Sequence, residues 1–187
     1  LTYLARKNWS EAFQAFNAVV DQNPRHLKAR LELAELLLLS KKSYEARVEI
    51  QAVQEIQPKN VRAQVLLAKS YLTEKDFRSA IDEFKKAKRL APDQPLVWSA
   101  SGIARVAAEQ YQAAESDFRR ALELDPSSAE AYRNLANLFR KTKREHLFEP
   151  FLERALQTNP DSLELYLVLA NFHYEKGNMQ AVDRLFD

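Results

Sequence analysis

Apolar and polar positions along the chain follow the pattern of amphipathic helices, and the pattern stops at regular intervals. One stop lies in ALELDPSSAEAYRNLANLF, residues 121–139, where two helical stretches meet at Asp125 and Pro126. Proline cannot continue a helix, so a proline between two such stretches marks a helix boundary. Five prolines recur every 34 residues: Pro24, Pro58, Pro92, Pro126 and Pro160. A fixed period of this length predicts a repeat architecture.

Two columns of apolar residues keep the same period. One column holds small residues: Ala34, Ala68, Gly102, Ala136 and Ala170. The other holds large residues: Phe16, Ile50, Phe84, Phe118, Leu152 and Phe186. Small residues let two helices approach closely, and a large residue fills the space beside them. Each repeat is therefore predicted to hold a helix A over roughly its first fourteen residues and a helix B that ends before the proline. Asn60, Ser128 and Ser162 follow the prolines and are predicted to be capping and turn residues.

Composition narrows the fold class and the chemistry. The chain of 187 residues has only two glycines and is rich in strong helix formers, which predicts an all-α fold. Its 28 basic and 26 acidic residues nearly balance, so no electrostatic footprint for nucleic acid is present. No apolar run approaches the ~18 residues of a membrane span. Without cysteine there is no disulfide, thiolate nucleophile or sulfur metal site.

The aligned columns resemble the tetratricopeptide repeat (TPR), a helix–turn–helix unit of 34 residues. In residues 61–94 the signature positions are Leu67, Ala68, Tyr71, Ala80, Phe84, Ala87 and Pro92. In residues 95–128 they are Trp98, Gly102, Ala114, Phe118, Ala121 and Pro126. The resemblance implies a right-handed α-α superhelix, a TPR solenoid of antiparallel helix pairs.

The resemblance covers the whole chain as a single array. Its parts are a partial repeat 1–26, full repeats 27–60, 61–94, 95–128 and 129–162, and a partial repeat 163–187. Because neither end shows the polar capping helix of natural arrays, we expect a segment of a longer array.

The family resemblance also implies that helix A of each repeat lines a concave groove. The groove floor from Leu31 to Ala107 is largely apolar, and a cationic, amide-rich group follows it on repeat 129–162. Such a surface suits an extended or helical peptide that carries hydrophobic anchors and a carboxylate. The candidate binding residues are Leu38, Lys69, Leu72, Ile103, Val106, Arg133, Asn134, Asn137, Arg140, Lys141 and Asn171.

Other interpretations of the same residues stay open. Asn137 and Asn171 are equally well explained as family consensus residues, and the cationic group as a solvated face. The apolar strip could pack against adjacent A helices or a neighbouring molecule. Two ligand sets known in the family do not match. The carboxylate clamp that binds chaperones would need lysine where Leu31, Val65 or Ser99 stands. The other set, a ladder of asparagines at the sixth residue of successive repeats, has only Asn134 in this chain.

Repeat 129–162 departs from the pattern. Phe148 stands where the preceding repeats have the small residues Ala46, Ala80 and Ala114, and Pro150 follows it. Because proline is tolerated near a helix start, helix B is predicted to begin late, around Phe148, with a local change in superhelical geometry. We expect two polar side chains on the A helices, Arg105 and His173, to turn their heads toward the groove.

These patterns predict a protein–protein interaction scaffold that binds a peptide or partner helix, with no enzyme activity, cofactor, metal or nucleic acid. Neither a Gly-rich loop nor a convergent carboxylate pair is visible, and the near-neutral charge disfavours RNA binding of the pentatricopeptide kind. The alternative is a structural or self-associating segment of a larger bacterial protein, for example in the envelope or polysaccharide export. Cytoplasm and, given an upstream signal, periplasm both suit the sequence. The partner stays open, because a fold of this kind specifies a surface and not a ligand.

Overall fold

The computed structural model of the protein describes residues 9–185, which form eleven α-helices and one short 3-10 helix. The all-α prediction is confirmed. Residues 1–8 of the first partial repeat, and Phe186 of the large apolar column, lie outside the described residues. The helices are α1 (Trp9–Gln22), α2 (Leu27–Leu39), α3 (Ser43–Ile56), α4 (Val61–Thr73), α5 (Phe77–Leu90), α6 (Pro95–Ala107), α7 (Tyr111–Leu124), α8 (Ala129–Lys141), α9 (Phe148–Thr158), α10 (Leu163–Glu175) and α11 (Met179–Asp183).

The turn from helix A to helix B has the same backbone form in the five repeats in which the structure describes it. Its middle residue adopts the left-handed conformation, with φ between 58° and 72°. This conformation ends helix A abruptly and returns the chain along it, because the last carbonyls of the helix then bond the amides of the turn. The residues in this position are Lys41, Lys75, Glu109, Lys143 and Gly177.

A polar side chain caps the start of α2, α4, α8 and α10 after the proline turns, whereas Gln94 before α6 makes no such cap. Asn60 accepts a hydrogen bond from the backbone N–H of Ala63 at 2.9 Å, and Ser128 and Ser162 cap α8 and α10 in the same way. A side-chain oxygen at this position satisfies an amide that the helix leaves unpaired. The predicted capping residues therefore do form caps.

The chain divides after Pro92 into two compact units. In the first unit, α2 to α4 enclose a core in which Ala34, Ala46 and Ile50 are fully buried. In the second unit, α7 to α10 enclose a core rich in aromatic residues, including Phe139 and Phe148. The small and large columns predicted from the sequence supply much of both cores, because close helix crossings need both kinds of residue.

The irregular repeat begins its second helix late, as predicted. A 3-10 helix, Glu145–Leu147, precedes α9, which has 11 residues against 14 in α3, α5 and α7. Pro150 is the third residue of α9, where a missing N–H costs no helical hydrogen bond. Phe148 is fully buried, and its ring centroid lies 6.2 Å from that of Phe139 and 5.1 Å from that of Phe172.

Candidate functional site

The A helices of the second unit pack side by side, with α8 in contact with both α6 and α10. Between α8 and α10 lies a cavity of about 80 Å³, called the α8–α10 cavity below. Its rim is polar and its floor is apolar. The rim consists of Arg133, Asn137, Arg140, Asn171 and Glu175, and the floor of Ala136, Phe148, Val168 and Phe172. Four of the predicted binding residues are thus brought together.

A hydrogen-bond network holds one end of the rim. Arg140 forms an ion pair with Glu175, and its guanidinium also lies 3.4 Å from Asn137 Oδ1. Asn171 donates through Nδ2 to the same Glu175 carboxylate at 3.3 Å. The network links α8 to α10. Because both members of the ion pair are close to half exposed, it contributes only about 0.2–1 kcal/mol to stability.

The other end of the rim carries a charge without a counter-charge. Arg133 is exposed and, among the described residues, makes no ion pair or side-chain hydrogen bond. Its neighbour Asn134 has its Nδ2 atom buried without a hydrogen-bond partner. Since Glu175 neutralises Arg140, the net positive charge of the cavity rim comes from Arg133. The arrangement favours an anionic group beside Arg133.

Exposed apolar side chains flank α8 on both sides. On α6, Leu96 is 69% exposed and Ile103 is 43% exposed, whereas Val106 is half-buried and packs against the core. On α10, Leu167 and Tyr174 are exposed. Large apolar groups in water mark a surface that favours a partner when they cluster near polar donors. Of the two predicted apolar binding residues in this unit, Ile103 and Val106, only Ile103 is exposed.

Other predicted residues lie elsewhere. Lys141 turns away from the cavity, with its Nζ 5.5 Å from the ring centroid of Tyr111 on α7. In the first unit, Lys69 is exposed and Leu72 is half-buried on α4. Leu38 is only 9% exposed and belongs to the core of that unit, which corrects the expectation of an exposed anchor there. At this position the strip packs against adjacent helices, one of the alternatives that the sequence left open.

Two polar residues that were expected to face the groove turn to a helix B instead, Arg105 to that of its own repeat and His173 to that of the preceding repeat. Arg105 donates through Nε to the Asp117 carboxylate at 2.9 Å, and Ser101 donates to the same oxygen at 2.6 Å. His173 is 6% exposed, with Nε2 at 3.4 Å from a carboxylate oxygen of Glu149. An acidic partner on helix B is the reason in both cases, because a buried polar group is costly unless it is paired.

On the groove side of the first unit, the charge of Arg62 is compensated by two glutamates. Arg62 on α4 donates to Glu32 at 2.8 Å and to Glu35 at 2.7 Å, both on α2. The hydrogen bond from Arg62 lowers the pKa of Glu32 below its ordinary value, against the opposing effect of burial. Arg62 therefore differs from Arg133, which has no such partner among the described residues.

Sequence reasoning did not include Phe148 and Phe172 among the binding residues, although both form the floor of the cavity. The signal for Phe148 was its replacement of a small residue. Within residues 9–185, no cluster of three or more His, Cys, Asp or Glu residues could bind a metal ion. No helix in that part of the chain has both the length and the apolarity that a bilayer crossing needs.

Comparison with known proteins identifies the repeat. Family models described as tetratricopeptide repeat match residues 3–62, 61–94 and 100–146. No curated protein sequence matches the chain. These family matches and the helix pairs of the structure agree with the 34-residue period.

Solved structures share the fold at low sequence identity. TTC0263, a thermophilic TPR protein of Thermus thermophilus, has a TM-score of 0.73 and 19% identity over 91% of this chain and 93% of its own. PilF of Pseudomonas aeruginosa has a TM-score of 0.69 and 16% identity over 99% and 84%. YrrB, described as a TPR protein with an unusual peptide-binding site, has a TM-score of 0.58 and 18% identity over 91% and 88%. The architecture is that of a TPR solenoid.

Proposed function

Because the chain belongs to the tetratricopeptide repeat family, we propose that it is a protein-interaction scaffold that binds a peptide segment on the A-helix face of its second unit. The ligand carries apolar anchors and a carboxylate. The observation that carries this proposal is the unpaired Arg133 on the rim of the α8–α10 cavity, between exposed apolar side chains of α6 and α10.

The chemistry of this face supports a peptide. Ile103 and Leu167 would lose water contact on binding, which provides a non-directional driving force. The side chains of Asn137 and Asn171 each offer a donor and an acceptor, and both groups are needed to pair with a peptide backbone. Arg133 adds a charge-assisted hydrogen bond to a carboxylate and so distinguishes acidic segments from basic ones.

The proposal is tested by selecting peptides from a random display library on the immobilised protein and measuring their affinity by fluorescence anisotropy. Arg133→Glu should weaken the selected peptides about tenfold or more, since a charge-assisted hydrogen bond is lost and a repulsion replaces it. Arg154→Glu, the same change at an exposed position on α9, is the matched control and should leave affinity within about twofold. Selection of peptides without acidic residues, or equal loss in both variants, would contradict the proposal.

A second candidate function is self-association, which the exposed apolar side chains of α6 favour. Leu96 and Ile103 lie seven residues apart on α6 and are both exposed. If a second copy covers them, light scattering coupled to size exclusion should show a concentration-dependent dimer, and Ile103→Glu should make the protein monomeric. A monomer at all concentrations would leave this face to a foreign peptide.

A further inference from the structure

We propose that the α8–α10 cavity is a side-chain pocket for one branched aliphatic residue of the bound peptide. The inference rests on the proposed function and adds the identity of the residue at one position of the ligand. Leucine, isoleucine and valine are the expected occupants, whereas aromatic rings should bind more weakly.

The origin of the cavity is clear from the same seam in the first unit. There, between α2 and α4, Leu31, Leu38 and Leu66 are 5%, 9% and 1% exposed and pack into the core of the first unit. Residues three repeats later take the same positions in the second unit, and they are Arg133, Arg140 and Val168. The arginine heads stay at the rim in contact with water, and valine is one carbon shorter than leucine. The middle of the seam is therefore left unfilled.

The floor gives the cavity its preference for an apolar group. Phe148 stands where the first unit has Ala46, and Phe172 where it has Ser70. Both rings are buried and line the cavity together with Val168. These walls present no hydrogen-bonding group, so a polar side chain that entered would lose its contacts with water without compensation.

The volume and the rim define the size and the attachment of the occupant. The cavity measures about 80 Å³, about half of the ~150 Å³ apolar cavity that accepts benzene. An aliphatic side chain therefore enters more easily than a ring. Asn137 on α8 and Asn171 on α10 stand on opposite sides of the rim and can form hydrogen bonds with the backbone of the residue that enters. The Arg140–Glu175 pair closes one end.

The pocket is tested with capped single residues, which probe it without the rest of a peptide. The N-acetyl N-methylamides of leucine, valine, phenylalanine and glycine are titrated into the labelled protein and followed by NMR. The leucine and valine compounds should saturate shifts of the Asn137 and Asn171 side-chain amides and the Val168 methyls, with dissociation constants on the order of 1 mM. Phenylalanine should bind at least about fivefold more weakly, and glycine should not saturate.

A variant that copies the first unit provides the decisive comparison. Arg140→Leu with Val168→Leu places leucine at the positions of Leu38 and Leu66 and should abolish binding of the leucine compound. Arg154→Leu with Val182→Leu makes the same two changes away from the cavity and should retain it. Should the double variant not fold, Val168→Leu alone should still weaken binding at least threefold.

Several outcomes would overturn the pocket. These are saturable binding of the glycine compound at the same resonances, phenylalanine binding as tight as leucine, or unchanged binding in the filled variant. If the capped residues fail while selected peptides still depend on Arg133, the pocket assignment falls and the scaffold proposal stands. If the leucine compound binds in the cavity and no selected peptide depends on Arg133, the pocket assignment stands and the scaffold proposal falls.

Discussion

Gly102 on α6 lies so close to Phe118 on α7 that a Cβ atom on Gly102 would stand 2.5 Å from Cε1 of the ring. The ring is 1% exposed and cannot withdraw without opening the core of the second unit. Helices A and B therefore lie too close at this position for any side chain in the small column, and this is the one repeat where the column holds glycine instead of alanine.

Gly102→Ala should destabilise the protein by about 1 kcal/mol. Overpacking costs about 1–3 kcal/mol, and the better helix propensity of alanine returns about 1 kcal/mol of this. The measurement is urea unfolding followed by circular dichroism. Phe118→Leu should relieve the clash, since alanine and leucine stand together at Ala136 and Leu152 in the next repeat. The double variant should lose less than the sum of the single losses; strict additivity would show that the two residues do not meet.

Lys75→Gly should stabilise the protein by about 0.5–1 kcal/mol. Lys75 has φ 62°, and the amides of Lys75 and Asp76 bond the carbonyls of Leu72 and Tyr71 in a Schellman turn. A side chain in this conformation costs about 1–2 kcal/mol, which glycine avoids at some expense in chain entropy. The check is the urea midpoint.

The matched control is Lys69→Gly in the middle of α4, where the same exchange should cost about 1 kcal/mol. Opposite signs for the two variants confirm that backbone conformation decides the effect. Equal losses would refute the role of the left-handed turn.

Arg105→Leu should destabilise the second unit by about 3 kcal/mol. Asp117 is 5% exposed, and removal of the guanidinium at 2.9 Å takes away a charged partner of a buried carboxylate. The combined variant Arg105→Leu/Asp117→Leu should recover most of this loss, because no buried charge then remains. Thermal unfolding of the two single variants and the double variant gives the coupling free energy. A coupling below about 0.5 kcal/mol would mean that the pair does not act as a buried unit.

Local signals in the sequence were enough for the helices. The proline period, the caps at Asn60 and Ser128 and the late start of α9 at Phe148 each depend on a few neighbouring residues, and the structure agrees with all of them. A 34-residue repeat also fixes which face of each helix is apolar, so much of the core followed from the columns.

The partners of long polar side chains could not be predicted in the same way. Arg105 and His173 each had the groove and a neighbouring helix B within reach, and only the positions of Asp117 and Glu149 decide between them. Leu38 shows the same limit for an apolar residue, because its burial depends on how closely α2 packs with its neighbours. The cavity itself results from residues of three helices and has no signature within one repeat.

The two hydrogen bonds from Arg62 to Glu32 and Glu35 should make part of the stability of the first unit depend on pH. Arg62 lowers the pKa of Glu32 in the folded state, so the stabilisation is complete above the ordinary value near 4.5 and is lost as the pH falls through the lowered pKa. Arg62→Met removes both hydrogen bonds and keeps most of the apolar part of the side chain. It should cost about 1 kcal/mol or less at pH 7, because the guanidinium is 41% exposed, and less at acid pH, where Glu32 is protonated and no longer forms an ion pair.

Urea unfolding of the wild type and of Arg62→Met at neutral and acid pH measures this difference directly. NMR titration of the Glu32 carboxylate should show its pKa return toward the ordinary value in the variant. Arg62→Lys serves as the control, since it keeps a positive charge near both glutamates but lacks the planar guanidinium that bonds both at once. It should keep only part of the lowering of the Glu32 pKa. A stability difference that stays constant with pH would mean that Arg62 acts through packing of its stem and not through the two carboxylates.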